Sequence, residues 1–212
     1  MTTAAGPAGR IGRSTPVVES TSLVGSYVSL TFDDGPHPVH TPHLLAVLRE
    51  HGVTAVFCLS GSQALAHPGI VRAIVADGHL LGNHGMDHDD MGDWPDDRIQ
   101  EDLERTTAAI RAAAPGVPLP FFRAPYGRWG RTPEVAGRLG MRPLGWRLAA
   151  ADWEPPGTDE LVRRLASGVT AGAVVLLHDG GGDRSQTVAA VDRLIPLLTA
   201  RGWHFTTPDR RL

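Results

Sequence analysis

The chain has 212 residues and a formal net charge of -3; 42% of it is hydrophobic and 20% charged, the composition of a soluble domain with one sizeable core. No basic run points to nucleic acid or to an anionic membrane surface, and no apolar span approaches the roughly 20 residues of a membrane helix. The single cysteine, Cys58, lies in the apolar run TAVFCLSG, which excludes an intramolecular disulfide and marks it as a small buried hydrophobe.

Residues 1–22 are rich in Ala, Gly, Ser and Thr and lack the apolar stretch of a secretory leader. They read as a flexible arm ahead of one domain, 23–212, in a protein that is cytoplasmic as written and secreted if its native export signal has been removed. From there strands and helices alternate. YVSLTF is a strand, PHLLAVLREHG a helix, TAVFCLS a strand, GIVRAIVADGH a helix and HLLGN a strand. Next come the helix DDRIQEDLERTTAAIRAA, the strand FFRAP, the helix PEVAGRLG and the strand RPLGWRL. TDELVRRLASGV (helix), AVVLLH (strand), TVAAVDRLIPLLTARG (helix) and WHFTT (strand) complete the chain.

Gly52, Gly78, Gly140 and Gly202 stand where glycines end helices, and Thr158 or Asp159 is placed to open one. Alternation without hairpins predicts a parallel sheet of about seven strands, either doubly wound or a barrel. No GxGxxG or P-loop follows the first strand, so the α/β expectation is a single barrel with outer helices. In a barrel the active site gathers just beyond the C-terminal strand ends.

Those positions hold Asp33 and Asp34, His84 and His88, Arg123 and Tyr126, Asp152 and Trp153, and His178 and Asp179. Two imidazoles and one carboxylate are the smallest set for a catalytic divalent site with open positions. His84 and His88 suit that role, although an HxxxH pair alone is more often two loop histidines. His37, His40 and His43 form a competing cluster, but Pro38 and Pro42 interrupt it, so they read as loop and helix-entry residues. His51, His67, His79 and His204 read as surface or helix-end residues.

Adjacent carboxylates on an extended chain point to opposite sides, so Asp33 and Asp34 have separate jobs: one ligates a metal, the other is a general base. The alternative is a turn with glycine at positive φ. Taken singly, Arg123 is an ion-pair residue, Tyr126 and Trp153 are rim aromatics, Asp152 is a helix cap and His178 is a core histidine; such readings fit each residue but not the set.

Taken together, TFDDGP, HGMDH, RAPYG, ADW and LLHD resemble, in order, the five motifs of the polysaccharide deacetylases of carbohydrate esterase family 4, the NodB homology domain. The resemblance spans roughly residues 27–208. It implies a distorted (β/α) barrel with a metal, usually zinc with cobalt or another first-row ion as alternatives, held by Asp34, His84 and His88. It implies Asp33 as base, Arg123 as the partner that positions it, and the Tyr126 backbone N–H as oxyanion donor. His178 becomes the general acid and Asp152 the charge that orients it, while Trp153 and Leu176 wall the acetyl pocket.

The implied reaction is removal of N-acetyl groups from N-acetylglucosamine-type sugars by a monomer with no nucleic-acid or membrane partner. Alternatives are a cytoplasmic deacetylase or deformylase of a small N-acyl metabolite, an O-deacetylase of xylan, and a non-catalytic glycan-binding module. Gly85 departs from the family's Ser or Thr, so either metal affinity is weaker or Asp87 supplies the missing hydrogen bond. Trp94 and Trp129 are candidates for sugar stacking or for packing between helices.

Overall fold

The computed structural model describes residues 15–208. Within them the strands are β1 (Tyr27–Asp33), β2 (Val56–Leu59), β3 (Leu80–Asn83), β4 (Phe121–Phe122), β5 (Arg142–Pro143), β6 (Leu148–Ala149), β7 (Ala173–His178) and β8 (His204–Phe205). The helices are α1 (His40–Glu50), α2 (Gly61–Ala66), α3 (Pro68–Ala76), α4 (Asp96–Ala113), α5 (Thr132–Arg138), α6 (Thr158–Gly168) and α7 (Ser185–Ala200). Every strand pairing is parallel, in the order β5-β4-β3-β2-β1-β7-β6, with β8 beside the start of β1. This is the curled, seven-strand α/β barrel expected.

The barrel is not completed by a β5–β6 ladder among the described residues. Part of the segment expected to be a flexible arm fills that gap instead. Val18 N–H donates to Pro143 O (2.8 Å) and Gly145 N–H to Val18 O (2.8 Å), while Val174 N–H donates to Glu19 O (3.2 Å) and Thr21 N–H to Gly172 O (2.9 Å). Val18 is buried against Val174 and Leu144, which explains why an apolar pair, Val17-Val18, interrupts an otherwise polar arm. Residues 1–14 of that arm lie outside the described residues.

Strand alternation divides the interior. Val28, Leu30 and Phe32 of β1 join Phe57, Leu81, Val175 and Leu177 in the main core beneath the helices. Ser29, Thr31 and Asp33 lie on the opposite phase, that of Val56, Cys58, Phe121, Leu144 and Val174 inside the barrel. Cys58 is buried there, and burial pushes its thiol up, as expected of an inert core cysteine. Asp33 pairs in register with His178, so both inner-phase strands end on a titratable group at one mouth.

The four helix-ending glycines all have positive φ, between 64° and 80°. Thr158 opens α6 as its first helical residue, but the cap position belongs to Gly157, and no side-chain cap bond forms. RPLGWRL, expected as one strand, is split into β5 and β6 around Gly145. At the break a Cβ on Gly145 would lie 2.8 Å from Val17, so the docked N-terminal segment requires a glycine there. The short helix α2 carries no periodic signal and was not expected. No helix among the described residues is long and apolar enough to cross a membrane.

Candidate active site

β1 ends at Asp33 and the chain turns at once: Asp34 takes φ +71°. An L-residue visits that left-handed region at a cost, and here it brings the second carboxylate round to the mouth already occupied by the first. The glycine after it has ordinary φ. Gly35 is needed for space instead, because a Cβ there would lie 2.3 Å from the buried Asp179 carboxylate.

Asp34 Oδ1 lies 3.2 Å from His84 Nε2 and 3.3 Å from His88 Nε2. Among the described residues these three are the group whose ligand atoms converge as a metal site requires. Two observations test the fit. Asp34 Oδ1 is buried and accepts no hydrogen bond, an orphan that a cation would satisfy. His84 Nδ1 lies 2.8 Å from Arg123 O, and a carbonyl can only accept, so Nδ1 carries the proton and the Nε2 lone pair faces the cluster. The residues fit a divalent ion.

Electrostatics support that fit. Burial opposes the charge on Asp34, but the neighbouring imidazoles of His84, His178 and His88 hold its carboxyl below the ordinary range. Burial and the neighbouring His84 keep His88 below an ordinary imidazole, as a neutral ligand requires. Burial lowers His84 too, yet Asp33, Asp34 and the Arg123 carbonyl outweigh it and raise that imidazole. The proton so drawn to His84 and a cation compete for one lone pair.

Asp33, 2% exposed, receives Arg123 Nη1 at 2.7 Å. The guanidinium is fully buried and fixed on its other edges: Nε donates to Leu144 O (2.8 Å), and Nη2 to Thr31 Oγ1 (2.9 Å) and Gly145 O (3.2 Å). Across the mouth, His178 Nδ1 lies 2.8 Å from Asp152 Oδ1, and Asp152 Oδ2 accepts both the His178 N–H and the Thr187 hydroxyl at 2.9 Å. Burial disfavours the imidazolium, but the Asp152 bond and charge, with Asp33 and Asp34, overcome it and raise His178.

Asp33, Asp34, His84, His88 and His178 line one cavity of about 450 Å³ with Tyr126, Trp146, Trp153 and Leu176; Arg123 and Asp152 stand behind it. Tyr126 is 69% exposed, with φ +58°, and its ring meets His88 edge-on at 4.4 Å. Trp153, 45% exposed, meets His178 edge-on at 5.4 Å. A groove of similar volume, about 460 Å³, lined by Glu104, Arg111, Leu139 and Met141, carries no imidazole.

Every site residue expected from the strand ends and motifs therefore sits in or directly behind one cavity. Others were missed. Trp146 lines the cavity and lies against Arg123. Thr187 holds Asp152. Of the two expectations for Gly85, the Asp87 hydrogen bond is not found among the described residues; instead Asn83 Oδ1 accepts Gly85 N–H (2.9 Å) and Asp102 Oδ1 accepts Met86 N–H (2.9 Å). The signal for Asp102 was a carboxylate in the apolar stripe Ile99, Leu103, Thr106, Ile110 of α4. Trp94 and Trp129 pack in a second core with Phe122 and Met91 and do not reach the cavity. His79 is buried rather than superficial, accepting Ala55 N–H at 3.2 Å.

The polysaccharide deacetylase family profile matches residues 22–144. The chain belongs to that family. It is 38% identical to a chitooligosaccharide deacetylase of Sinorhizobium fredii, covering 83% of this chain and 87% of that one. The fold of a crystallised peptidoglycan N-acetylglucosamine deacetylase superposes with a TM-score of 0.83 at 30% identity, over 90% of this chain and 89% of that one. A family 4 pseudoenzyme from Bacillus anthracis superposes with a TM-score of 0.85 at 26% identity, over 92% of this chain and 68% of that one. Because the family's fold also occurs in a pseudoenzyme, the case for chemistry rests on the side chains.

Proposed function

We propose that the protein is a metal-dependent deacetylase that hydrolyses the N-acetyl group of N-acetylglucosamine-type sugars. The observation that carries this reading is the pairing across one cavity: a base held by Arg123 beside the Asp34–His84–His88 cluster, and an acid held by Asp152 opposite it.

Asp34, His84 and His88 would hold the cation; their mixed oxygen and nitrogen donors suit zinc, with cobalt as an alternative. When bound, such an ion supplies Lewis-acid polarisation and makes water a stronger nucleophile. Asp33, kept in place by Arg123, takes a proton from the attacking water as its oxygen bonds to the acetyl carbonyl carbon. The Tyr126 backbone N–H donates to the oxygen that becomes negative. His178, charged through Asp152, gives its proton to the amide nitrogen as the C–N bond breaks, releasing acetate and an amine. Leu176 and Trp153 flank the acetyl methyl. All these groups come from one chain, so the proposed chemistry needs no partner subunit.

Turnover separates an enzyme from a glycan-binding relative. Asp33→Asn should retain oligosaccharide binding and lose acetate release; equal release by variant and wild type would refute the base assignment. Faster acetate release from acetylxylan than from N-acetylated chitooligosaccharides would favour O-deacetylation.

A further inference from the structure

The loop between β7 and α7 reads Asp179-Gly180-Gly181-Gly182-Asp183, three glycines in a row at the mouth that holds the Asp34–His84–His88 cluster. Such a stretch has the greatest backbone freedom a chain can have and loses the most entropy when it is ordered. Here it is tied down. Asp179 N–H and Gly180 N–H both donate to Asp33 O, at 3.1 and 3.3 Å, which pins the near end to the tip of β1. Gly180 and Gly181 then press against Asp34: a Cβ on the first would collide with the Asp34 carbonyl, and one on the second with the Asp34 carboxylate. Asp34 itself stands at φ +71°, a conformation that persists only where the surroundings enforce it.

The far end is held by Arg184, which is 5% exposed. Its guanidinium donates from Nε to Gly180 O (2.8 Å), from Nη2 to Gly181 O (3.1 Å) and from Nη1 to Asp183 O (3.3 Å). Among the described residues it makes no ion pair. A buried cation is tolerated only where its donors are satisfied, and here the carbonyls of its own loop do that. The side-chain type matters. A guanidinium is a planar fork of five donors that can gather several carbonyls at once, whereas an ammonium is a point charge on a flexible stem.

We propose that Arg184 is a positioning residue for the cation site: by clamping the glycine loop it keeps the Asp34 carboxylate turned towards His84 and His88, and so sets metal affinity. The proposal rests on the deacetylase reading in taking Asp34, His84 and His88 as the ligands. It adds a residue that neither the strand ends nor the five motifs mark.

The test is zinc affinity, read by competition with a chromophoric chelator, in wild type, Arg184→Lys, Arg184→Ala and Leu194→Ala. Leu194 is a buried core residue of α7, about two and a half turns from the start of that helix, so its truncation loosens the same helix away from the loop. Both Arg184 variants should raise the zinc Kd about tenfold or more, as for loss of a group that orients a ligand, and Leu194→Ala should leave it within about twofold despite a lower Tm. Arg184→Lys keeps the charge and loses the fork, so it decides the matter even where Arg184→Ala does not fold. Cobalt supplies a second readout: its visible absorption band reports ligand geometry, and should change shape in Arg184→Lys but not in Leu194→Ala. A zinc Kd for Arg184→Lys equal to that of wild type, or an equal loss in Leu194→Ala, would overturn the clamp and leave the ligand set intact. Wild type that binds neither zinc nor cobalt would overturn the ligand set itself, and the clamp with it.

Discussion

Replacing Arg123 by Met should unfold the protein more readily than any surface change, and the geometry sets the size of the effect. The guanidinium is fully buried and makes four hydrogen bonds, one of them an ion pair to a carboxylate that is itself 2% exposed. Met conserves most of the volume, so the loss is chiefly electrostatic: Asp33 is left buried and unpaired. Breaking such a pair from one side costs about 3–5 kcal/mol. For a chain of this size that lowers Tm by roughly 10 °C. The comparison is Arg163→Ala, whose ion pair with Glu160 lies exposed on α6, where solvent and salt screen it. A second variant, Arg123→Met/Asp33→Asn, removes both charges and should recover most of the lost stability while remaining inactive. Calorimetric melts in chelator read all three. A single variant no less stable than Arg163→Ala, or a double variant as unstable as the single, would refute the view of Arg123 as the partner that makes a buried Asp33 tolerable.

Asp152→Asn should move the alkaline limb of the pH–rate profile to lower pH, because His178 is raised against its own burial by the Asp152 bond and charge; an unmoved limb would contradict that role. Burial, with the charges of Asp34 and Asp33 added, pushes Asp179 up to about 7 despite the opposing Thr41 hydroxyl bond. The folded state therefore keeps a proton that the unfolded chain loses near pH 3.8, and stability should fall as pH rises from about 4 to about 7, by at most about 1.4 kcal/mol per unit. Urea titrations in chelator should show that slope in wild type and its loss in Asp179→Asn; an identical slope in both would assign it elsewhere. Gly85→Thr, which restores the family's usual residue type, should lower Tm by several degrees, since φ is +76° and a Cβ would lie 2.5 Å from the Met91 methyl. An unchanged Tm would show that the loop relaxes.

The strand ends were legible because catalytic groups in a parallel barrel stand at predictable chain positions, and because inner-phase alternation carries Ser29 and Thr31 directly to Asp33. α4 was legible to the residue, since its stripe of apolar positions runs from Ile99 to Ala113. The hydroxyls that brace Asp152 and Asp179 were not. Thr187 meets Asp152 from 35 residues away and Thr41 meets Asp179 from 138, and no local pattern records such a meeting. The docked segment around Val18 escaped notice for a related reason: its two ladder partners, near Leu144 and Ala173, become neighbours only after the barrel has curled. Asp102 was the exception, visible as a carboxylate among apolar neighbours but without a signal for what it holds.

Acetate release from N-acetylated chitooligosaccharides, by protein stripped with chelator and then reloaded with zinc or cobalt, tests the central claim most directly. Release that stops on stripping and returns on reloading is the predicted result. Release that persists in the stripped protein would contradict the role given to Asp34, His84 and His88, and no release from the reloaded protein would contradict the deacetylase itself.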